Sequence, residues 1–254
     1  MLMKTRTADR ERKRNRNRDP VKTRRVELTY AGQLRKVAQQ VGAIIDGFPP
    51  GDPEAVPTVT DMLAKYAEIL IPWATATASK MLGEVNHRDE QAWFSHANDI
   101  SRALREEIRT APTGALMQQL LAEQVTLIKS LPLDAAKRVH ELTLAGIEDG
   151  TRAKEIAKEI VRSGEVSMNR ANLIARTEVA RTASKLTEAR ALHIGSDGYI
   201  WRTSKDSDVR HSHKEMEGKY VRWDTPPRLS DGTVTHAGQI YNCRCYPEPV
   251  IPDL

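Results

Sequence analysis

The sequence predicts a mainly α, α+β protein: an N-terminal helical bundle, then a C-terminal helix and a small antiparallel β module. Three observations carry this. Apolar residues recur at helical spacing between the breaker cluster Pro49-Pro50-Gly51-Asp52-Pro53 and His193. Hydrophobic residues make up 39% of the chain but aromatics only 5%, so the core is built from Ala, Leu, Ile and Val, which suits packed helices better than a sheet sandwich. Beyond Gly198 the texture changes to short strand-like runs separated by Pro and Gly.

In chain order, residues 1–25 read as a disordered basic arm. They hold eleven Lys and Arg against three Asp and Glu, a local +8, so the formal net charge of +5 leaves the other 229 residues at −3. Arg10, Arg12, Lys13, Arg14, Arg16, Arg18, Arg24 and Arg25 are the candidate phosphate-binding residues. Each phosphate they neutralise releases counterions, which gives salt-dependent binding without sequence preference. Residues 26–140 read as a helical domain. Met62, Leu63, Tyr66, Ile69 and Leu70 share a face, Pro72 interrupts that helix, and segments 89–110, 113–130 and 132–148 follow, punctuated by Pro112, Gly114 and Pro132. Trp73, Met81, Trp93, Phe94 and Met117 read as core, and His87, His96 and His140 stand apart from any other ligand.

Residues 141–254 form the third unit. A helix over 152–161 stops at Gly164; the next, capped by Ser167 or Asn169, runs to His193 with Gly195 as a left-handed terminator. Its buried stripe is Ala171, Ile174, Ala175, Val179, Ala183 and Leu186. Strands are expected at 199–203, 219–223 and 239–242, and Pro247, Pro249 and Pro252 forbid a closing helix. No run of 18 apolar residues exists, and Met1-Leu2-Met3-Lys4 leads into arginines rather than a signal core, so a soluble, non-secreted protein is expected. Cys243 and Cys245, one residue apart, close no long disulfide loop and fit a reducing compartment.

The run Ile174-Ala175-Arg176-Thr177-Glu178-Val179-Ala180-Arg181 is followed by Gly198-Tyr199-Ile200-Trp201 and Asp208-Val209-Arg210. His213 with Gly218, His236, and Asn242-Cys243-Arg244-Cys245 complete the series. In this order, over about residues 145–250, they resemble the phage Mu protein F-like domain of minor head, or head-morphogenesis, proteins. The resemblance implies a low-copy, non-enzymatic protein incorporated during procapsid assembly. It would meet the portal, scaffold or inner capsid surface inside the virion, after a period in the host cytoplasm. It implies no small-molecule substrate. Some relatives carry a toxin or transferase domain, which is not expected after Leu254.

Two constellations are candidates for chemistry. Arg176, Glu178 and Arg181 could clamp the long helix to the sheet, through charge-assisted bonds to carbonyls or to Asp208; the alternative is a solvated ion pair. On a strand, Cys243 and Cys245 point to one face. His213 and His236 could then complete a tetrahedral Cys2His2 zinc site that steadies a module with few core residues. The alternative is that the cysteines are small buried hydrophobes and the histidines structural, and His211 competes with His213. A metal-dependent nuclease of the His-Asn-His kind, using His211, His213, His236 and Asn242, is the rival function; it needs a helix after its hairpin, which the proline-rich ending denies.

Overall fold

The computed structural model describes residues 21–49, 52, 54–96, 106, 109–148 and 153–251. It is mainly helical with one small antiparallel sheet, as the sequence predicts. Helices α1 (Arg24–Asp46), α2 (Val56–Ile69), α3 (Ile71–His96), α4 (Gly114–Glu148) and α5 (Ala153–His193) precede β1 (Gly198–Arg202), α6 (His211–Lys214), β2 (Tyr220–Arg222) and β3 (Tyr246–Pro249). Arg24 and Arg25, expected in the arm, begin α1, because Val26, Tyr30, Leu34, Val37 and Val41 supply a buried helical stripe immediately behind them. The other arm residues, Arg10 to Arg18, lie outside the described residues.

The described residues gather into two compact units, neither of them one continuous stretch. The first joins residues 21–24 to the described parts of Gly83–Met117 and Thr177–Leu254; the second joins the described parts of Arg25–Leu82 and Gln118–Arg176.

In the second unit, Val41, Ile45, Val59, Leu63, Ala135, Val139 and Ile160 share a core. The stripe of α2 is Val56, Val59, Leu63 and Ala67; Met62 and Ile69, expected on the buried face, are 41% and 74% exposed because small Ala67 lies on the packed side. Leu70 separates α2 from α3, which places Pro72 in a first turn where its missing N–H costs nothing. Two expected breaks are absent. Helix α4 runs through Pro132, since Leu120, Ile128, Leu131, Ala135 and Val139 form one buried stripe whose burial offsets the roughly 3 kcal/mol of an interior proline.

Helix α5 runs through Gly164, which marks a close helix crossing: a Cβ there would sit 3.4 Å from the Cα of Gly42. Ser167 does not cap; its hydroxyl donates to the carbonyl of Ser163 one turn back (2.9 Å).

In the first unit, α5 presents the expected buried residues Val179, Ala183 and Leu186. It ends as expected: Gly195 has φ 77°, Ser196 N–H donates to Ala191 O (2.9 Å) and Gly195 N–H to Leu192 O (3.0 Å). This double closure is the Schellman arrangement.

The sheet order is β2-β1-β3, with Tyr199 opposite Val221 on one side and Pro249 on the other. The last strand is β3 itself rather than residues 239–242. Its prolines alternate, so that Pro247 and Pro249 turn their N–H-less nitrogens outward along an edge while Val250 N–H reaches Gly198 O (2.9 Å). Residues 239–242 reverse the chain instead, between Gly238 at φ 79° and Asn242 at φ 53°. Tyr199, Trp201, Val221, Trp223, Ala191 and Trp93 are central to this unit's core, with Phe94 packed against it.

Candidate metal centre

His213 enters from the four-residue α6. Ser212, its neighbour, donates to Asp231 (2.7 Å) and so pins the short helix to the following loop. The cysteines arrive from the opposite direction. Asn242, in its left-handed turn, donates its N–H to Thr177 Oγ1 on α5 (2.9 Å), and Arg210 donates to the Tyr241 carbonyl (3.2 Å) while lying over that ring. Cys243 and Cys245 therefore sit in an extended segment just ahead of β3, not on a strand, yet their thiols converge as a period of two requires.

The His213 Nδ1 is 3.4 Å from the Sγ of Cys243 and 3.4 Å from that of Cys245, and Cys245 N–H donates to Cys243 Sγ (3.3 Å). The three donor atoms lie within 4.8 Å of one another, and the residues are 2%, 3% and 5% exposed. For Zn–S of about 2.3 Å and Zn–N of about 2.05 Å, a tetrahedral angle separates S and N by about 3.6 Å. The observed N–S spacing of 3.4 Å lies within about 0.2 Å of that.

The donor set fits as well. Hydrogen bonds from Cys245 and His213 hold the Cys243 thiol well below its usual range against the opposing effect of burial, while the Cys243 partner and burial push Cys245 up. The two thiols thus behave as one pair sharing a proton, as two sulfurs crowded beside an imidazole must. Trp201 closes the site edge-to-face on the His213 ring, with centroids 5.6 Å apart. His213 Nε2 is buried without a hydrogen-bond partner, so Nδ1 is the engaged nitrogen. Buried N and S donors can hold a borderline-soft divalent ion; buried this deeply, they offer no nucleophile to solvent.

His236 does not join them. The Tyr199 hydroxyl accepts the N–H of Ala237 (3.1 Å), which leaves its proton for His236 Nδ1 (3.1 Å), and His236 also bonds the Trp223 backbone. Burial then holds the His236 imidazole neutral-leaning, its pKa below the ordinary value, and raises that of the Tyr199 phenol. The expected second histidine ligand is a hydrogen-bonded core residue, because a tyrosine reaches it. His211, the competitor, is exposed and faces Glu215 (3.3 Å). Among the described residues, His213, Cys243 and Cys245 are the one group of three or more His, Cys, Asp or Glu side chains gathered closely enough to hold a metal.

The expected polar clamp divides. Arg181 meets Glu178 at 3.4 Å with the glutamate buried, and burial lowers the Arg181 pKa. Arg176 meets Glu27 at 3.9 Å. Asp208 belongs to another ion pair: Arg244, between the two cysteines and directed away from them, reaches Asp206 (2.8 Å) and Asp208 (3.1 Å). Sequence reasoning missed Arg244, although alternation in Cys-Arg-Cys already turns it from the thiols.

It also missed a buried polar cluster in the unit. Asp89 on α3, fully buried, accepts hydrogen bonds from Thr187 (2.5 Å) and Arg190 on α5, and Arg190 also donates to Asn86 (2.9 Å). The available signal was a carboxylate on the apolar stripe of Leu82, Val85, Ala92 and Trp93.

Comparison with known proteins adds a family. Residues 137–247 match the family described as phage Mu protein F like protein. An uncharacterized protein of Haemophilus influenzae is 33% identical over 132 residues, 52% of this chain and 29% of that protein. The protein named NAD(+)--arginine ADP-ribosyltransferase EFV, of Enterococcus faecalis, is 31% identical over 123 residues, 44% of this chain and 25% of that protein. The chain thus spans under a third of the length of these curated relatives. No solved structure matches.

Proposed function

We infer, from a chain whose residues 137–247 belong to the phage Mu protein F-like family, that this protein is a non-enzymatic minor head protein acting in head morphogenesis. The family match is the observation that carries the reading. In it the C-terminal module docks on the portal, the scaffold or the inner capsid surface, a task that needs shape and polar complementarity but no catalytic group. The arginine-rich start of the chain grips packaged DNA by phosphate neutralisation. The location is the virion interior near the portal.

Zinc belongs to the same reading. His213, Cys243 and Cys245 hold it, and it supplies cross-linking rather than chemistry, tying α6 to the segment before β3 in a unit whose sheet has only three short strands. Protein purified without chelator should carry close to one zinc per chain. A ratio near zero with both thiols free removes the metal and leaves the docking role standing.

Mass spectrometry of purified virions and procapsids tests the function itself: the polypeptide is expected in both, and its absence from both overturns the reading. Deletion of residues 1–20, which spares α1, should leave incorporation intact and weaken DNA retention; lost incorporation would move the docking site into the arm.

A further inference from the structure

We propose that the metal at His213, Cys243 and Cys245 is held by three protein ligands only, with its fourth position taken by a water molecule. This rests on the zinc reading above and sharpens it, because it changes the centre from one closed by four protein ligands to one completed by a buried water.

The count of donors is the first argument. Among the described residues no fourth His, Cys, Asp or Glu lies with the trio. Each neighbour that could move in is already committed. His236 is held by the Tyr199 hydroxyl and the Trp223 backbone, and at least one of these bonds would have to break for it to ligate. His211 is exposed beside Glu215. Two carboxylates influence the trio electrostatically, Asp231 through His213 and Glu217 through Cys245. Asp231 already accepts bonds from Ser212 (2.7 Å) and from Thr233 N–H (2.9 Å). Glu217 already accepts the N–H and the hydroxyl of Thr203 (2.7 and 2.8 Å) and faces Arg202.

Charge is the second argument. Two thiolates and a neutral imidazole neutralise a divalent ion, so a fourth ligand that is neutral keeps this buried centre uncharged. A third anionic ligand would leave a net negative charge in a place where each protein donor is at most 5% exposed, and an unpaired buried charge is the more costly arrangement. Water satisfies the coordination number and the charge together.

X-ray absorption at the zinc edge of the zinc-loaded full chain tests this. The expected first shell holds two sulfurs, one imidazole and one light atom without imidazole multiple scattering. Two imidazoles would mean that a second histidine closes the site, and three or more sulfurs that another chain does; either result overturns the three-ligand centre while leaving zinc itself in place. The variant His236→Ala adds an independent reading, with zinc stoichiometry unchanged expected and loss of zinc from a folded variant counting against. If the wild-type chain takes up no zinc at all, the zinc reading falls first and this inference with it.

Discussion

Asp89 offers a test in which two physical effects oppose each other. Its carboxylate is completely buried between α3 and α5, and burial raises its pKa from an ordinary value near 4 to about 6, against the lowering influence of Arg190 and of the Thr187 hydroxyl; Glu90 adds a small push upward. Desolvation therefore outweighs the ion pair. The native state holds this proton more tightly than the unfolded chain does, so the stability contributed is complete below about pH 4 and lost as pH rises through about 6. Two pKa units correspond to about 3 kcal/mol, or roughly 6–12 °C in melting temperature for a chain of this size. Asp89→Asn mimics the protonated form: its oxygen can face Arg190 and its amide can donate to Thr187, while Asn86 continues to hold Arg190.

Thermal melts of both proteins across about pH 4 to 7 at fixed ionic strength should show near-equal stability at the acid end. At the neutral end the variant should be the more stable. If instead it is weaker there by the roughly 3–5 kcal/mol typical of a broken buried pair, the attraction of Arg190 dominates and the reasoning is wrong.

Three further outcomes follow from backbone and charge. Gly164→Ala places its methyl group 3.4 Å from Gly42 Cα, an ordinary contact, and should stabilise by up to about 1 kcal/mol through helix propensity, while Gly164→Leu should cost about 1–3 kcal/mol by forcing α1 and α5 apart; equal denaturation midpoints for the two would refute the close crossing. Gly238→Ala, at φ 79° with a Cβ 2.8 Å from the Cys245 carbonyl, should cost more than about 1 kcal/mol and lower zinc content, so an unchanged melt argues against that contact. Glu217 has a depressed pKa: burial raises it, but Thr203, Lys205 and Arg202 together lower it more. Its stabilisation is present above the ordinary glutamate value and is lost as pH falls through the native one, so Glu217→Gln should flatten the acid limb of the stability curve below about pH 4.3. An unaltered acid limb would show that those contacts do not favour the charged form.

What could be read from the residues divides along physical lines. The α5 stripe and its Gly195 terminator were legible because local periodicity and a left-handed glycine decide them. Pro132 and Gly164 misled because tertiary burial overrides a local breaker, and neither the α4 stripe nor the Gly42 crossing is visible within a short window. The Cys-x-Cys pair was legible as two converging donors, and His213 as their partner. His236 was not, since only the fold brings Tyr199 to it. Asp208 went to Arg244 for the same reason: ion pairs between distant loops are set by topology. Strand β3 hid behind its prolines, which an edge position tolerates and a central one would not.

The join between Asp89 and its partners has a temporal side. Thr187 and Arg190 lie 98 and 101 residues further along the chain. At about 5–20 residues per second, a ribosome makes Asp89 roughly 5–20 seconds before Thr187 and Arg190 exist to meet it. The unit that contains them is completed by Thr177–Leu254, so its closure waits until that stretch has been made, and that interval is when a chaperone or a premature neighbour would find it.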